Sequence, residues 1–302
     1  MVGRSNRSGR ASSVLGPAAA PILASREAPT ALEDEAISSI KDPAVAAARE
    51  ALGQVGKAAP TAYLADGRQL VSQAVRCRAL VQGVFFVQPV ESVEDVAVVN
   101  AARVAGLKCR PVTKGVFFKL LGLGYETSVR VLAVVERPEP PDVVQFARAD
   151  VCILAGERIV DPRNVGVLVR TADACGVPCV AFTRDSADPY SRASVRSSTS
   201  SIFRVPLALV GDLPACLERL KARSLRIVGT SAHAEVPCWK ADLTGACVIV
   251  VGTESVGLSE AVRSACDELV TIPMKGGADS FNVTVAAGVV LYERARQVAA
   301  RA

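Results

Sequence analysis

The chain has 302 residues, half of them hydrophobic, and a formal net charge of +5 from 35 Lys and Arg against 30 Asp and Glu. That length suits two domains with cores of their own, and no uninterrupted apolar run approaches the ~20 residues of a membrane span, so the chain reads as soluble. The mild basic bias is compatible with nucleic acid without demonstrating it, and nine cysteines with no Cys-x-x-Cys pair argue against a disulfide framework or structural zinc and for a reducing cytosol.

Residues 1–41 read as a flexible arm, rich in Ser, Ala, Arg, Gly and Pro with no sustained amphipathic period. Arg4, Arg7 and Arg10 suit phosphate contacts, but a solvated tail explains them as well. The segment lacks the continuous hydrophobic stretch and cleavage site of a secretory signal. Residues 42–136 read as a small α/β domain. Helical spacing over 66–75 is followed by a strand at 84–87, a helix over 93–105, a strand at 109–112, a helix over 114–121 and a strand at 129–135. Such alternation lays helices over a sheet. The run Arg137-Pro-Glu-Pro-Pro141 opens a linker, 137–149, because proline fixes φ and removes backbone donors. Residues 150–302 then alternate strands at 151–154, 179–182, 226–229, 247–251 and 269–272 with helices over 165–175, 213–223, 259–266 and 283–300. This pattern predicts an α/β fold with a mostly parallel sheet covered on both faces.

Three separated segments of the second domain read as parts of one site: Asn164-Val-Gly-Val-Leu-Val-Arg170, Gly252-Thr-Glu-Ser-Val-Gly257 and Ile272-Pro-Met-Lys-Gly-Gly-Ala-Asp-Ser-Phe-Asn282. The second and third each follow a strand-like run, and ligands of an open parallel sheet bind at the carboxyl ends of its strands. Gly252 and Gly257 bracket Glu254 and let backbone approach a ligand, with Ser259 placed to cap the next helix. Alone, that segment is an ordinary strand-to-helix turn. Lys275-Gly-Gly277 is permissive enough to meet a ring or a phosphate, whereas Ser280 or Asn282 can serve simply as a helix cap. Asn164 and Arg170 bring an amide and a guanidinium suited to phosphate. Six apart, they do not share a helix face, yet both border one cleft if Asn164 caps the helix. Arg170 has mostly apolar flanks, which predict a partly enclosed guanidinium. Together the segments point to a nucleotide-like cofactor beside a phosphorylated substrate.

Other motifs fall away. With a single histidine in the chain, histidine chemistry is not expected. His233-Ala-Glu235 with Pro237-Cys238 lacks the second cysteine of a zinc-deaminase signature, since Trp239, Lys240 and Ala241 follow. Gly122-Leu-Gly124 lacks the third glycine of a dinucleotide fingerprint and reads as a turn.

The three segments resemble, in order and across residues 151–302, the three sequence motifs of the SpoU-type RNA ribose methyltransferases, members of the trefoil-knotted SPOUT superfamily. Asp161-Pro-Arg-Asn164-Val-Gly166 with Arg170-Thr-Ala-Asp-Ala-Cys-Gly176 matches the first, Gly252-Thr-Glu254 with Gly257-Leu-Ser259 the second, and Ile272-Pro-Met274 with Ser280-Phe-Asn282-Val-Thr-Val-Ala286 the third. The first domain is similar, more weakly, to the ribosomal-protein-like RNA-binding extension of such enzymes, through Tyr63-Leu-Ala-Asp-Gly67 and Phe117-Phe-Lys119. Three departures stand out. Cys175 replaces a usual aromatic, Phe281 a usual leucine, and Arg196-Ser-Ser-Thr-Ser-Ser201-Ile-Phe203 carries serine where the family often has glycine.

The resemblance implies a deep C-terminal knot, a rare exception to unknotted topology, and S-adenosylmethionine as methyl donor with S-adenosylhomocysteine as product and no metal. It places the donor against Thr230, Ser231 and Ala232, against Gly252, Thr253, Glu254 and Gly257, and against Ile272, Met274, Phe281 and Asn282. Catalysis falls to Asn164, Arg170, Glu254, Ser280 and Asn282. Because a guanidinium stays protonated, Arg170 is better suited to clamp the substrate phosphate and stabilise a developing alkoxide than to take its proton, with Asn164 and Ser280 orienting the 2'-hydroxyl. The family places this arginine at the partner's cofactor pocket, implying a homodimer, with the 283–300 helix (Val285, Ala286, Val289, Val290) as candidate interface or as internal core. Candidate RNA phosphate contacts are Lys114, Lys119, Arg130, Arg184, Arg192, Arg196 and Lys275. The extra N-terminal domain favours ribosomal RNA, read in the cytoplasm; transfer RNA and non-catalytic ribosome binding stay open, as does self-protection against a ribosome-targeting antibiotic.

Overall fold

A computed structural model describes residues 34–123, 127–253 and 256–301. Arg4, Arg7, Arg10, Gly124 and Glu254 lie outside the described residues. The described part of the expected arm is tied down: Ile37 N donates to the Pro111 carbonyl at 3.0 Å and Thr113 N to the Ile37 carbonyl at 3.0 Å.

Helix α1 (Pro43–Ala51) starts where Asp42 accepts from Ala44 N at 2.9 Å and Pro43 presets the first φ. It is followed by β1 (Ala62–Asp66), α2 (Arg68–Arg76), β2 (Val81–Val87), α3 (Val93–Val104), β3 (Cys109–Val112), α4 (Lys114–Leu121) and β4 (Val131–Glu136). The sheet order is β1-β4-β2-β3, antiparallel except for β2 beside β3. Period-two alternation sends Phe85 and Leu132 to one face with Phe117 and Leu120 of α4, and Phe86 to the other with Val71 and Val99. Neither α1 nor β1 is marked by a clear period in the sequence, and the helix expected over 66–75 starts only at Arg68. Asp66 instead closes β1, and Gly67 turns the chain at φ +95°.

The prolines after β4 do end the strand, but the following stretch is not slack. Val143–Phe146 forms a 3-10 turn with Val143 buried, and Asp142 accepts from Val144 N at 3.1 Å while pairing with Arg219.

The second domain runs β5 (Cys152–Gly156), α5 (Pro162–Ala174), β6 (Val180–Thr183), α6 (Arg192–Ser197), β7 (Leu207–Val210), α7 (Leu213–Lys221), β8 (Arg226–Thr230), β9 (Val236–Pro237), β10 (Cys247–Val251), α8 (Glu260–Ala265), β11 (Glu268–Thr271) and α9 (Val283–Arg301). Its sheet is parallel throughout, in the order β7-β6-β5-β10-β8-β11-β9. The late strand β10 lies between the earlier β5 and β8. All five residues of β10 are buried, so the run is apolar on both faces. Ile153, Val248 and Ile227 pack toward α7 and α8, while Leu154, Ile249 and Val228 pack toward α5 and α9. Burial pushes the thiols of Cys179 and Cys266 up, to about 12 and about 11, as suits packing groups rather than nucleophiles, whereas a hydrogen bond with Cys152 holds the Cys247 thiol below its ordinary value.

The two sheets share one core. Tyr63 and Phe86 from the first belong to the same apolar cluster as Leu154 from the second and Val195 of α6. At the junction the Tyr63 and Tyr190 rings are 5.0 Å apart, Arg137 lies over Tyr190 at 5.3 Å, and Arg137 pairs with Asp188 at 2.7 Å.

Candidate active site

Strands β10, β8 and β11 are adjacent and parallel, so the loops leaving their carboxyl ends converge. Those loops wall a cavity of about 290 Å³, near the lower end of the roughly 300–1,000 Å³ typical of small-molecule sites. Thr230, Ser231 and Ala232 come from the end of β8, Gly252, Thr253 and Gly257 from the loop after β10, and Ile272, Met274, Ser280 and Phe281 from the long loop after β11. Two distant segments singled out in the sequence thus meet at one place.

The second loop is held tightly. A Cβ on Gly252 would stand 2.3 Å from the Gly257 carbonyl carbon and 2.5 Å from Leu258 N. Only glycine permits that doubling back, and Gly257 itself adopts φ +68°. Gly257 N donates to the Thr253 carbonyl at 2.9 Å. Below the loop, the buried Glu157 carboxylate accepts from Ser259 N at 2.8 Å, and Ser259 Oγ accepts from Val262 N at 3.3 Å to cap α8. Glu157 is a supporting residue that no motif in the sequence marks, although it directly follows β5.

Chemically the cavity is mixed. Val270, Ile272, Met274, Leu258 and Phe281 offer apolar surface for a ring, while Thr230, Ser231 and Ser280 offer hydroxyls. His233, Arg263 and Asp279 also line it. The single histidine, set aside for want of partners, therefore stands at the edge of this cavity. Arg263 on α8 was signalled only by its closeness to the second segment.

The catalytic candidates divide. Asn282 does not line the cavity. Its side-chain oxygen accepts from Thr284 N at 2.9 Å, capping α9, while its amide donates to Asn164 Oδ1 at 3.3 Å. Asn164 is not the cap of α5: Asp161 is, accepting from Arg163 N at 2.8 Å with Pro162 behind it, so the helix starts three residues earlier than the sequence suggested. Arg170 is exposed, not partly enclosed, and its Nη1 donates to Thr199 Oγ1 at 3.4 Å. The apolar neighbours Leu168 and Val169 turn inward, leaving the guanidinium outside. Within one chain Arg170 does not line the cavity.

The candidate RNA cations also separate. Lys114, Lys119, Arg184 and Lys275 are exposed. Arg130 donates to the carbonyls of Thr127 and Val129. Arg192 and Arg196 both reach Asp66 across the domain junction, at 2.6 and 2.8 Å, where the carboxylate is fully shielded from solvent. The 283–300 helix divides as well. Val290 is core and Ala286 lines the cavity, whereas Val285, Val289, Tyr292 and the nearby Trp239 are exposed.

A parallel α/β sheet whose cavity lies at an out-of-sequence strand defines a class, and comparison with known proteins places the chain within it. Residues 152–292 match the SpoU rRNA Methylase family. The 23S rRNA (guanosine-2'-O-)-methyltransferase RlmB of Pseudomonas syringae pv. tomato is 38% identical over 149 residues, 49% of this chain and 60% of that protein. The 23S rRNA (uridine(2479)-2'-O)-methyltransferase of Streptomyces viridochromogenes is 36% identical over 182 residues, 59% of this chain and 63% of that protein. The chain thus spans about three fifths of the length of the curated relatives it matches. Among solved structures, the SpoU methyltransferase AviRb from Streptomyces viridochromogenes in complex with the cofactor AdoMet superposes with a TM-score of 0.69 at 30% identity, covering 80% of this chain and 92% of that one. An AdoMet-bound rRNA methyltransferase from Sinorhizobium meliloti gives a TM-score of 0.72 at 23% identity, covering 87% and 98%, a likeness of fold. The chain belongs to the SpoU rRNA methylase family.

Proposed function

We propose that this protein transfers a methyl group from S-adenosylmethionine to a ribose 2'-hydroxyl of ribosomal RNA in the cytoplasm. The observation that carries the reading is the convergence of the β8, β10 and β11 loops on one cavity, in a family whose AviRb member is solved with AdoMet. The cavity suits that donor: apolar walls at Ile272, Met274 and Phe281 for a purine, hydroxyls at Thr230 and Ser231 for a ribose, and the close Gly252 backbone for polar contacts. When bound, the donor supplies an electrophilic methyl carbon. The chain's own residues then have to hold the acceptor oxygen in line with it, which contributes at most about 7–11 kcal/mol. Asn164, fixed by Asn282, and Ser280 orient the hydroxyl, and Arg170 clamps the adjoining phosphate and stabilises charge developing on oxygen. Glu254, between the two loop glycines, belongs to the same proposal.

Because Arg170 stands away from its own chain's cavity, the reading includes a homodimer in which Arg170 serves the partner's cavity. The exposed Trp239, Val285, Val289 and Tyr292 form an apolar face suited to the contact. One experiment tests both parts. Arg170→Ala is expected to lower methyl transfer to ribosomal RNA at least a hundredfold with donor binding retained. Mixing it with a Gly252→Ala protein should restore part of the activity, because each hybrid dimer contains one intact combination. Failure of wild-type protein to label ribosomal RNA would overturn the activity, and absence of complementation would overturn the shared site.

A further inference from the structure

A second concave region lies between the domains, away from the proposed donor cavity. It consists of two hollows of about 390 and 220 Å³ that share Arg68, Asp95, Ser128 and Arg130, and so form one groove. One end reaches Lys114 on α4, and the other reaches Arg196 and Thr199 of the second domain. Thr199 is the residue that accepts from Arg170.

The charges are layered. The carboxylates of Asp66 and Asp95 are almost wholly shielded, whereas the side chains of Arg68 and Arg196 that they hold are each 51% exposed. The acids therefore fix the guanidinium groups from behind and leave their outer edges to solvent. Arg130 donates to the carbonyls of Thr127 and Val129, which carry no formal charge to offset its own. Two acids are exceptions: Glu91 at the far rim, and the exposed Glu94, which pairs with Arg68 at 3.4 Å and competes with an incoming phosphate there. Helix α2 also opens onto the groove without a side-chain cap, so its first N–H groups add to the positive field.

We propose that this interdomain groove is a second substrate subsite, taking the phosphodiester strand next to the ribose that is methylated. Arg68, Arg130, Arg196 and the amino end of α2 grip successive phosphates, Lys114 extends the track, and Thr199 marks where the strand passes to Arg170. This rests on the reading of RNA as substrate, and it makes the fixed orientation of the two domains part of substrate selection: a strand must fit both walls at once.

The test compares Lys114→Glu and Arg130→Glu with wild type and with Lys240→Glu, an exposed cation away from the groove. Measurements are steady-state methyl transfer to 23S rRNA fragments, anisotropy of a fluorescent single-stranded uridine oligonucleotide, and calorimetry of the donor. The groove variants should raise KM for RNA about tenfold, weaken oligonucleotide binding, and flatten its salt dependence by about 0.7 in log–log slope per lost contact. Donor affinity and kcat should hold, and Lys240→Glu should behave as wild type. Lys114→Glu guards against misfolding of Arg130→Glu, because the exposed Lys114 side chain has no ion-pair partner among the described residues. If both variants bind and methylate RNA normally, the subsite is wrong. If wild type binds the oligonucleotide through these residues but methylates nothing, the groove stands and the enzymatic reading falls. Loss of inorganic phosphate binding with RNA binding intact would assign the groove to free anions and overturn the proposal.

Discussion

At the scale of single residues, two backbone positions carry testable weight. Gly252→Ala would place a methyl group 2.3 Å from backbone of the same loop, with no flexible side chain to give way. The loop must open, and the expected result is at least tenfold weaker donor binding by calorimetry with the far-ultraviolet spectrum unchanged. Undiminished affinity would mean the loop does not shape the cavity. The second position is Ser200, at φ +80°, next to Thr199 at φ +49°. A left-handed conformation costs a side-chain-bearing residue roughly 1–2 kcal/mol, and this is the stretch where serine stands in place of a family glycine. Ser200→Gly should therefore stabilise the fold by about 0.5–1 kcal/mol, the relief being partly offset by glycine's larger unfolded-state entropy. Chemical denaturation measures it, and a destabilised variant would show that the Ser200 hydroxyl contact with Arg204 matters more than the backbone strain. The motif glycines were legible as residues needing unusual backbone. Their actual reason, a chain doubling back on itself at Gly252, is a three-dimensional contact that no local pattern encodes.

Among elements, α5, α6 and α9 decide where the catalytic candidates stand. Gly166 on α5 faces the Ser194 carbonyl of α6 so closely that a Cβ would lie 2.2 Å from it, which lets the two helices touch along their backbones. Asn282 joins the start of α9 to Asn164 on α5. Asn282→Ala removes both the cap and that link, and should cost about 1 kcal/mol of stability while lowering methyl transfer more than donor binding. Equal losses in both would reduce Asn282 to a structural cap. The long apolar strands β5, β8, β10 and β11 and helices α7 and α9 were readable because burial on one or both faces writes a period into the sequence. Other elements were hidden. Strand β1 looks helical in continuation because Asp66 and Arg68 fit a helix start, and α6 is a six-residue serine-rich turn whose stability comes from packing on α5. Arg192 and Arg196 read as free surface cations for the same reason: their partner, Asp66, is 126 and 130 residues away.

In the whole molecule, the domain junction converts such pairings into a fixed geometry. Tyr63 and Tyr190 face each other across it, and burial pushes both phenols well above the ordinary 10.0. In the unfolded chain both release protons near pH 10. The folded state holds its protons longer, so these residues contribute fully below that pH, and the contribution drains away as pH rises from the unfolded value toward the folded ones. The slope is about 1.4 kcal/mol per pH unit for each tyrosine. Urea midpoints measured from about pH 9 to about pH 11 should therefore fall more steeply in wild type than in a Tyr63→Phe, Tyr190→Phe double variant. The tyrosinate absorbance that Tyr63 and Tyr190 contribute, read as the difference between wild type and the double variant, should appear only as the transition does. Parallel curves for the two proteins would mean that the two phenols titrate alike in the folded and unfolded chain and give the junction no pH dependence.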